Sequence, residues 1–144
     1  MTMRDLADHV IAHAQNTEVG ITNLQLQKVL YFTLINSIRQ GLINEEWLQE
    51  QYDSEFLVWR YGPVIEDIYE EYRIYGAANI FEQKQEAEEF SFLNPIIENL
   101  LHENVFNLVN ESHRHDRWLN NRNQIIFGRS DVPYSVEDLI DAAG

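Results

Sequence analysis

The stretch Ile21–Gln40 constrains the fold most, because it reads as one helix with apolar residues around almost its whole circumference. Thr22 followed by Gln25 fits a capping box, and Gly41 stands where a left-handed residue ends a helix. A helix that is apolar on nearly every side is normally buried on several sides. The sequence therefore predicts a mainly α-helical, single compact domain built around a central buried helix over residues 22–40.

Two polar residues interrupt the apolar surface of this helix. Gln27 falls inside the apolar face and Lys28 falls at its edge. A buried amide that lacks a hydrogen-bond partner costs roughly 1–3 kcal/mol. We therefore expect Gln27 to make a structural hydrogen bond to a neighbouring element.

The length of 144 residues suits one domain over residues 1–144, and a hydrophobic fraction of 44% is typical of a folded chain. The chain has no cysteine, which excludes disulfides and thiolate metal sites and is compatible with a cytoplasmic protein. Its first residues lack the apolar run of a secretory signal, and no window approaches the roughly 18 apolar residues of a membrane span. We expect a cytoplasmic protein with no membrane partner.

The formal net charge is −14, from 24 acidic and 10 basic residues. Such a field repels polyphosphate and anionic lipid and favours a basic partner, so we expect nucleic acid to be disfavoured. Plain solubility accounts for most of these carboxylates. Four of the ten basic residues lie near the C-terminus, at positions Arg114, Arg117, Arg122 and Arg129.

Capping residues and apolar periodicity predict further helices on both sides of the central one. Gly62-Pro63 opens one of them, with proline in the first helical position, and Gly76 ends it. Residues 77–93 include the polar run 82–89, which has no apolar period, and predict a loop or a frayed helix. The other predicted helices cover residues 2–15, 44–51, 94 to about 112, and a last segment capped by Ser135.

The aromatic and β-branched run from Glu55 to Tyr61 has a different character and predicts a strand. A lone strand needs a partner, and the one comparable run in the chain is Gln124 to Phe127. The sequence thus allows one short two-stranded β-ribbon made from residues 55–60 and 124–127.

Two stretches resemble the motifs of a known family. The run from Ile21 to Phe32 is similar to the opening motif of the Panacea domain family, and Trp59–Val64 is similar to its second motif. Ser112-His113, followed by Trp118, resembles a later element, although Arg117 stands where the family has proline. The likeness covers most of the chain, and the first two motifs stand in the family's order and spacing.

The resemblance implies a bacterial or prophage protein of the phage-associated, antitoxin SocA-like kind, with a compact and mainly helical fold. It implies an antitoxin that neutralises a toxin encoded nearby through direct protein contact. Members of the family pair with toxins of many unrelated kinds, so the resemblance does not identify the toxin. The alternative is a phage-associated regulator or adaptor that binds nucleic acid or hands a partner protein to a protease.

The run Ser112, His113, His115 and Asp116 invites a catalytic or metal-binding interpretation. Its spacing fits no recognised metal motif, and no third ligand is evident. A triad needs residues that converge from separate segments, whereas these are sequence neighbours. We therefore predict no enzymatic activity, no metal and no cofactor.

The predicted partner-binding surface centres on the run from Trp59 to Pro63, because Trp, Tyr and Arg dominate binding hot spots. The acidic residues that follow would steer a basic toxin toward it. The alternative is that Trp59 and Tyr61 fill the core beside Tyr31. The full predicted set is Lys28, Tyr31, Trp59, Arg60, Tyr61, Gly62, Pro63, Glu66, Glu70, His113 and Trp118.

Overall fold

Eight α-helices and one small antiparallel sheet make up the regular structure of the chain, which a computed structural model describes over residues 1–144. None of these helices is both long enough and apolar enough to cross a membrane. Short 3₁₀ turns cover Arg73–Tyr75, Glu88–Leu93 and Arg122–Gln124. In chain order the elements are α1 (Met3–Asn16), α2 (Asn23–Arg39), α3 (Glu45–Gln51), β1 (Leu57–Trp59), β2 (Gly62–Val64), α4 (Glu66–Tyr72), α5 (Asn94–Leu101), α6 (Val105–Ser112), α7 (Asp116–Leu119) and α8 (Val136–Ala143).

Helix α2 lies at the centre of this single compact domain, as predicted. It packs against α1, α4, α5, α6, α8 and β2, and twelve of its seventeen residues are buried. Its ends are those expected from the sequence, since Thr22 and Gln25 form a capping box and Gly41 has a φ of +73°. The all-round apolar character of α2 is therefore satisfied by neighbours on several sides.

Three other predicted caps are also present. The side chains of Thr2, Asn44 and Ser135 each accept a hydrogen bond from a backbone N–H in the first turn of α1, α3 and α8, respectively. Each bond satisfies a donor that has no partner inside the helix. Local sequence thus determines where these helices begin.

The predicted helix that begins at Pro63 is wrong, because Pro63 lies in strand β2 and α4 begins only at Glu66. The chain reverses at Arg60 and Tyr61, and Gly62, with a φ of +101°, begins β2 opposite Trp59. The following residues are then held extended by α2, because Gln27 bonds the backbone of Ile65. Tertiary hydrogen bonds therefore override a local helix signal that proline and the apolar period supplied.

The strand predicted within residues 55–60 is present as β1, but the partner predicted for it is wrong. Strand β1 pairs with β2, with Leu57 opposite Val64 and Trp59 opposite Gly62. The run 124–127 instead ends a 3₁₀ turn and starts a tight turn of its own. Closing a two-residue loop costs little conformational entropy, so pairing with the adjacent strand is favoured over pairing with a distant one.

The helix predicted from residue 94 to about 112 is divided into α5 and α6. The division falls at residues 102–104, where Asn104 accepts a hydrogen bond from the N–H of Phe106 at 2.9 Å and so begins a new helix. The carbonyl of Leu101, at the end of α5, accepts a bond from the Gln25 amide at 3.0 Å. An internal asparagine cap and a side chain from α2 therefore end one helix and start the next.

Candidate partner-binding surface

The three stretches that carry the family resemblance meet around one hairpin loop. The β1–β2 register leaves Arg60 and Tyr61 as the two loop residues. Helix α2 approaches this hairpin from beneath with Gln27 and Lys28, and the segment from α6 to α7 approaches from the side. Because these contacts join residues up to 59 positions apart in the sequence, they are a product of the tertiary fold.

Gln27 has the structural hydrogen bonds expected of it. Its Oε1 accepts from the backbone N–H of Ile65 at 2.8 Å, and its Nε2 donates to the carbonyl of the same residue at 3.4 Å. The amide is fully buried, so both bonds are made away from water. They hold the chain extended just before α4 begins.

Lys28 is fully buried, and its Nζ donates to the carbonyl of Pro63 at 2.8 Å. No carboxylate lies within 4.0 Å of this ammonium group. Burial disfavours the charged form and lowers the pKa of Lys28 to about 7. The side chain therefore supports the hairpin backbone through a buried hydrogen bond and is not accessible to a partner.

Gly62 is required by both its conformation and its surroundings. Its φ of +101° is one that other residues rarely adopt. A Cβ at this position would lie 2.5 Å from Ser112 Oγ and 3.1 Å from Lys28 Cε. The Ser112 hydroxyl is itself fixed, because it donates to the carbonyl of Val109 at 2.7 Å. The hairpin can approach α2 and α6 this closely only because residue 62 has no side chain.

His113 and Trp118 hold the loop from its outer side. Their rings stack with centroids 3.8 Å apart. His113 Nε2 donates to the carbonyl of Arg60 at 3.0 Å, and Trp118 Nε1 donates to the carbonyl of Trp59 at 2.9 Å. Burial lowers the pKa of His113, so the neutral imidazole is the form that makes this bond. Both backbone carbonyls of the loop entry are thus satisfied.

The other histidine of this run serves a different part of the fold. His115 Nδ1 lies 2.6 Å from the hydroxyl of Tyr31, whose ring packs edge-on against Phe56 and Tyr134 in the core. Burial raises the pKa of Tyr31 and lowers the pKa of His115, so the bond joins a neutral phenol and a neutral imidazole. The two histidines therefore face separate neighbours, and no group of three or more His, Asp or Glu side chains gathers at a metal-sized site.

Two aromatic side chains stand exposed at the rim of a groove of about 450 Å³ above this framework. Tyr61 is 48% exposed and Phe127 is fully exposed. Phe127 and Gly128 have φ values of +54° and +83°, and the flanking Ile126 and Arg129 exchange backbone hydrogen bonds of 2.8 and 3.1 Å. This is the pattern of a type I′ turn, in which a phenylalanine at positive φ is uncommon. The remaining groove wall is formed by Leu24, Gln27, Trp59, Arg60, Val64, Tyr69, Gly128 and Arg129.

Arg129 joins this groove to the acidic outer face of α4. Its guanidinium lies 4.4 Å from the centroid of the Trp59 ring. Its Nη1 is 3.0 Å from Glu70 Oε1 and 3.5 Å from Glu66 Oε2. Both carboxylates are well exposed and already share a cation, so their field is weaker than the sequence alone would indicate.

The predicted partner-binding residues are therefore divided between the inside and the outside of the hairpin. Arg60, Tyr61, Glu66 and Glu70 are exposed, and His113 and Trp118 are half-buried. Trp59 is only 6% exposed, but its ring packs against Tyr69 and Arg129, so it is buried without filling the core beside Tyr31 as the alternative had it. The residues of the predicted set that the fold buries completely or nearly so are Lys28, Tyr31, Trp59, Gly62 and Pro63.

Sequence reasoning did not single out Phe127 or the position of Arg129. The available signal was the Phe-Gly pair after two isoleucines, since glycine after an apolar residue often marks a tight turn. Nothing in the local sequence indicates that this turn would lie beside Tyr61. That proximity depends on the segment from Gly128 to Val132 running along β1, where it bonds the N–H groups of Arg60 and Val58 at 2.9 Å.

Comparisons of the chain with protein-family models, with curated proteins and with solved structures found no match. The likeness to the Panacea family therefore stays a prediction from the motifs.

Proposed function

We propose that the protein is an antitoxin that binds and neutralises a toxin encoded beside its gene, and that the groove between Tyr61 and Phe127 is the contact surface. One observation carries this proposal: the exposed rings of Tyr61 and Phe127 line one groove, and the hairpin that carries Tyr61 is bonded by α2, by the α6–α7 segment and by residues 128–132. The protein acts in the cytoplasm by binding, with no catalytic group, metal or cofactor.

Exposed aromatic side chains on a rigid support are well suited to binding a protein. Tyr and Trp dominate binding hot spots, and a surface that is already ordered loses less conformational entropy on association. Phe127 also keeps a left-handed backbone that is unfavourable for a bulky residue. Such local strain is typical of functional positions, where the surrounding structure maintains it.

The groove has a floor of buried residues beneath the hairpin and a rim of exposed residues, and this division supports an antitoxin in particular. The residues of the family motifs build the floor of the hairpin, including Gln27, Lys28 and Gly62. Phe127 and Arg129, by contrast, belong to the rim and lie outside those motifs. The rim thus combines Tyr61, which lies inside the second motif, with contact residues outside the motifs. A common floor with additional contact residues outside the motifs suits a family whose members pair with toxins of unrelated kinds.

The nucleic-acid alternative has less support. Arg117 bonds the carbonyl of Pro133 at 2.8 Å and lies 3.3 Å from Asp138, and Arg129 is engaged with Glu66 and Glu70. Half of the C-terminal arginines are therefore engaged within the protein and are less available to phosphate.

Co-expression with the product of the adjacent reading frame tests the proposal. The wild-type protein should restore growth and co-purify with the toxin, whereas Tyr61→Ala and Phe127→Ala should lose both properties. Phe106→Ala is the matched control, because Phe106 is also exposed, at 57%, but lies outside the groove at the start of α6. Failure of rescue with a demonstrably toxic neighbour would contradict the proposal. Rescue accompanied by loss of the toxin in a protease-dependent manner would favour the adaptor alternative.

A further inference from the structure

Seven of the ten basic residues of this acidic protein are engaged by hydrogen bonds or ion pairs within the fold. Lys28 bonds Pro63, and Arg39 bonds the carbonyls of Ala142 and Ala143 at the end of α8. Five more basic residues lie within 4.0 Å of a carboxylate, namely Arg4, Arg73, Lys84, Arg117 and Arg129. The other three of the ten basic residues, Arg60, Arg114 and Arg122, make neither a side-chain hydrogen bond nor an ion pair.

Two of these three arginines line the same cleft. Arg60 and Arg122 flank a space of about 450 Å³ on the side of the hairpin away from α4, with the His113–Trp118 stack forming part of its wall. Tyr61 and Ile125 complete the lining, and no carboxylate belongs to it. A cleft with two free guanidinium groups is unusual in a chain whose net charge is −14.

We propose that this cleft binds an acidic segment of the partner protein, with Arg60 and Arg122 pairing with its carboxylates. The inference rests on the proposed function. It states that the toxin presents an acidic surface next to the part of it that occupies the Tyr61 groove. Guanidinium groups pair with carboxylates through two parallel hydrogen bonds, and both arginines are exposed and free to do so. The faces of Tyr61 and Trp118 can cover the aliphatic part of the bound segment.

A protein segment fits this cleft better than a nucleic acid does. The groove on the other side of Tyr61 leads through Arg129 to Glu66 and Glu70, so positive and negative regions alternate across the surface. A folded protein can present an acidic segment beside a basic one. A nucleic-acid strand carries negative charge along its whole length, and the field of the protein as a whole repels it.

Fluorescence anisotropy with three defined probes tests the inference without the toxin. The probes are a short peptide that alternates glutamate and leucine and carries a neutral dye, its glutamine analogue, and a single-stranded DNA oligonucleotide of equal charge. The glutamate peptide should bind saturably, and its affinity should fall as salt increases. Arg60→Glu and Arg122→Glu should each weaken it at least roughly tenfold, because a charge-assisted pair becomes a repulsive one.

Arg114→Glu is the matched control, because it changes the net charge equally but lies in a different hollow with Asn107, Asn110 and Glu111. It should leave the affinity nearly unchanged. Arg122→Gln should give a smaller loss than Arg122→Glu, and circular dichroism should show the same helix content in every variant.

Equal binding of the glutamine analogue, equal loss in Arg114→Glu, or no saturable binding of the glutamate peptide would overturn the inference. Tighter binding of the DNA, lost in Arg60→Glu and Arg122→Glu, would also overturn it and assign the cleft to nucleic acid. If Arg122→Glu still restores growth in the presence of the toxin, the inference is overturned but the antitoxin role stands. Peptide binding without rescue of any toxin would remove the antitoxin role but leave the inference in place.

Discussion

The two sides of the Arg60–Tyr61 hairpin both use cationic and aromatic residues, since Lys28 and Trp59 are buried whereas Arg60 and Tyr61 are exposed. On the inner side both Lys28 and Gly62 are buried: Lys28 of α2 donates to the Pro63 carbonyl, and Gly62 packs closely against Lys28 and against Ser112 of α6. On the outer side Tyr61 and Phe127 are exposed at the groove rim. Because a charged, aromatic or glycine residue can serve either side, residue type alone does not show which ones bind a partner. Burial separates them, and the two sides should respond to mutation very differently.

The largest contrast is expected between two tyrosines. Tyr31→Ala removes a fully buried ring and its contact with His115, so it should lower the free energy of unfolding by about 3–5 kcal/mol. Tyr61→Ala truncates a half-exposed ring and should lower it by less than about 1 kcal/mol. Urea unfolding of both variants measures the difference. Equal losses would show that Tyr61 belongs to the folded core and not to a binding rim.

The next contrast is between two glycines that share a positive φ. Gly62→Ala places a Cβ against Ser112 and Lys28, and it also strains the backbone, so we expect a loss of about 2–4 kcal/mol. Gly41 has a φ of +73° but no atom within 4 Å of a Cβ. Gly41→Ala should therefore lower the free energy of unfolding by the cost of backbone strain alone, about 1 kcal/mol. Similar unfolding midpoints for the two variants would argue against close packing beneath the hairpin.

Lys28 should make stability depend on pH in a defined window. The folded chain releases the Lys28 proton near pH 7, because burial lowers its pKa to about 7, whereas the unfolded chain keeps it to about pH 10.4. Between these values the unfolded state binds the extra proton, so stability should rise with pH. The rise should reach about 2 kcal/mol between about pH 7 and pH 9, since one pKa unit corresponds to 1.36 kcal/mol.

Lys28→Met should remove this rise, because methionine carries no titrating group and fills a similar volume. Lys84, the other lysine of the chain, is paired with Asp8 and Glu82, and these contacts raise its pKa against the opposing effect of burial. Lys84→Met should therefore keep the wild-type slope in this window. Urea unfolding at several pH values measures the slopes, and an unchanged slope in Lys28→Met would refute the assignment.

The smallest effect should be a gain in stability on the outer side. Phe127→Asn converts the turn to Asn-Gly, the pair that type I′ turns prefer, and should raise the free energy of unfolding by about 0.5–1 kcal/mol. The same variant should bind the toxin more weakly, because an exposed aromatic anchor is lost. A gain in stability with unchanged binding would place the contact surface elsewhere.

The sequence by itself determined the central helix and its ends, because those depend on short-range chemistry. The Thr22–Gln25 capping box, the glycine at position 41 and the caps at Thr2, Asn44 and Ser135 all act within a few residues of themselves. The apolar circumference of α2 also sufficed to predict burial on several sides. The need for a partner to Gln27 followed from the high free energy of an unpaired amide in the interior.

Tertiary structure alone decided what lies between Trp59 and Glu66 and what surrounds it. Gly62-Pro63 carries a helix-start signal, yet bonds from Gln27 and Lys28 hold it as a strand. Likewise, Tyr61 and Phe127 are 66 positions apart, and they line one groove because a distant segment runs beside β1. Local helix propensity contributes less free energy than a few buried hydrogen bonds and close packing. The floor and the rim of this surface are therefore set by contacts between distant segments, which no short stretch of sequence contains.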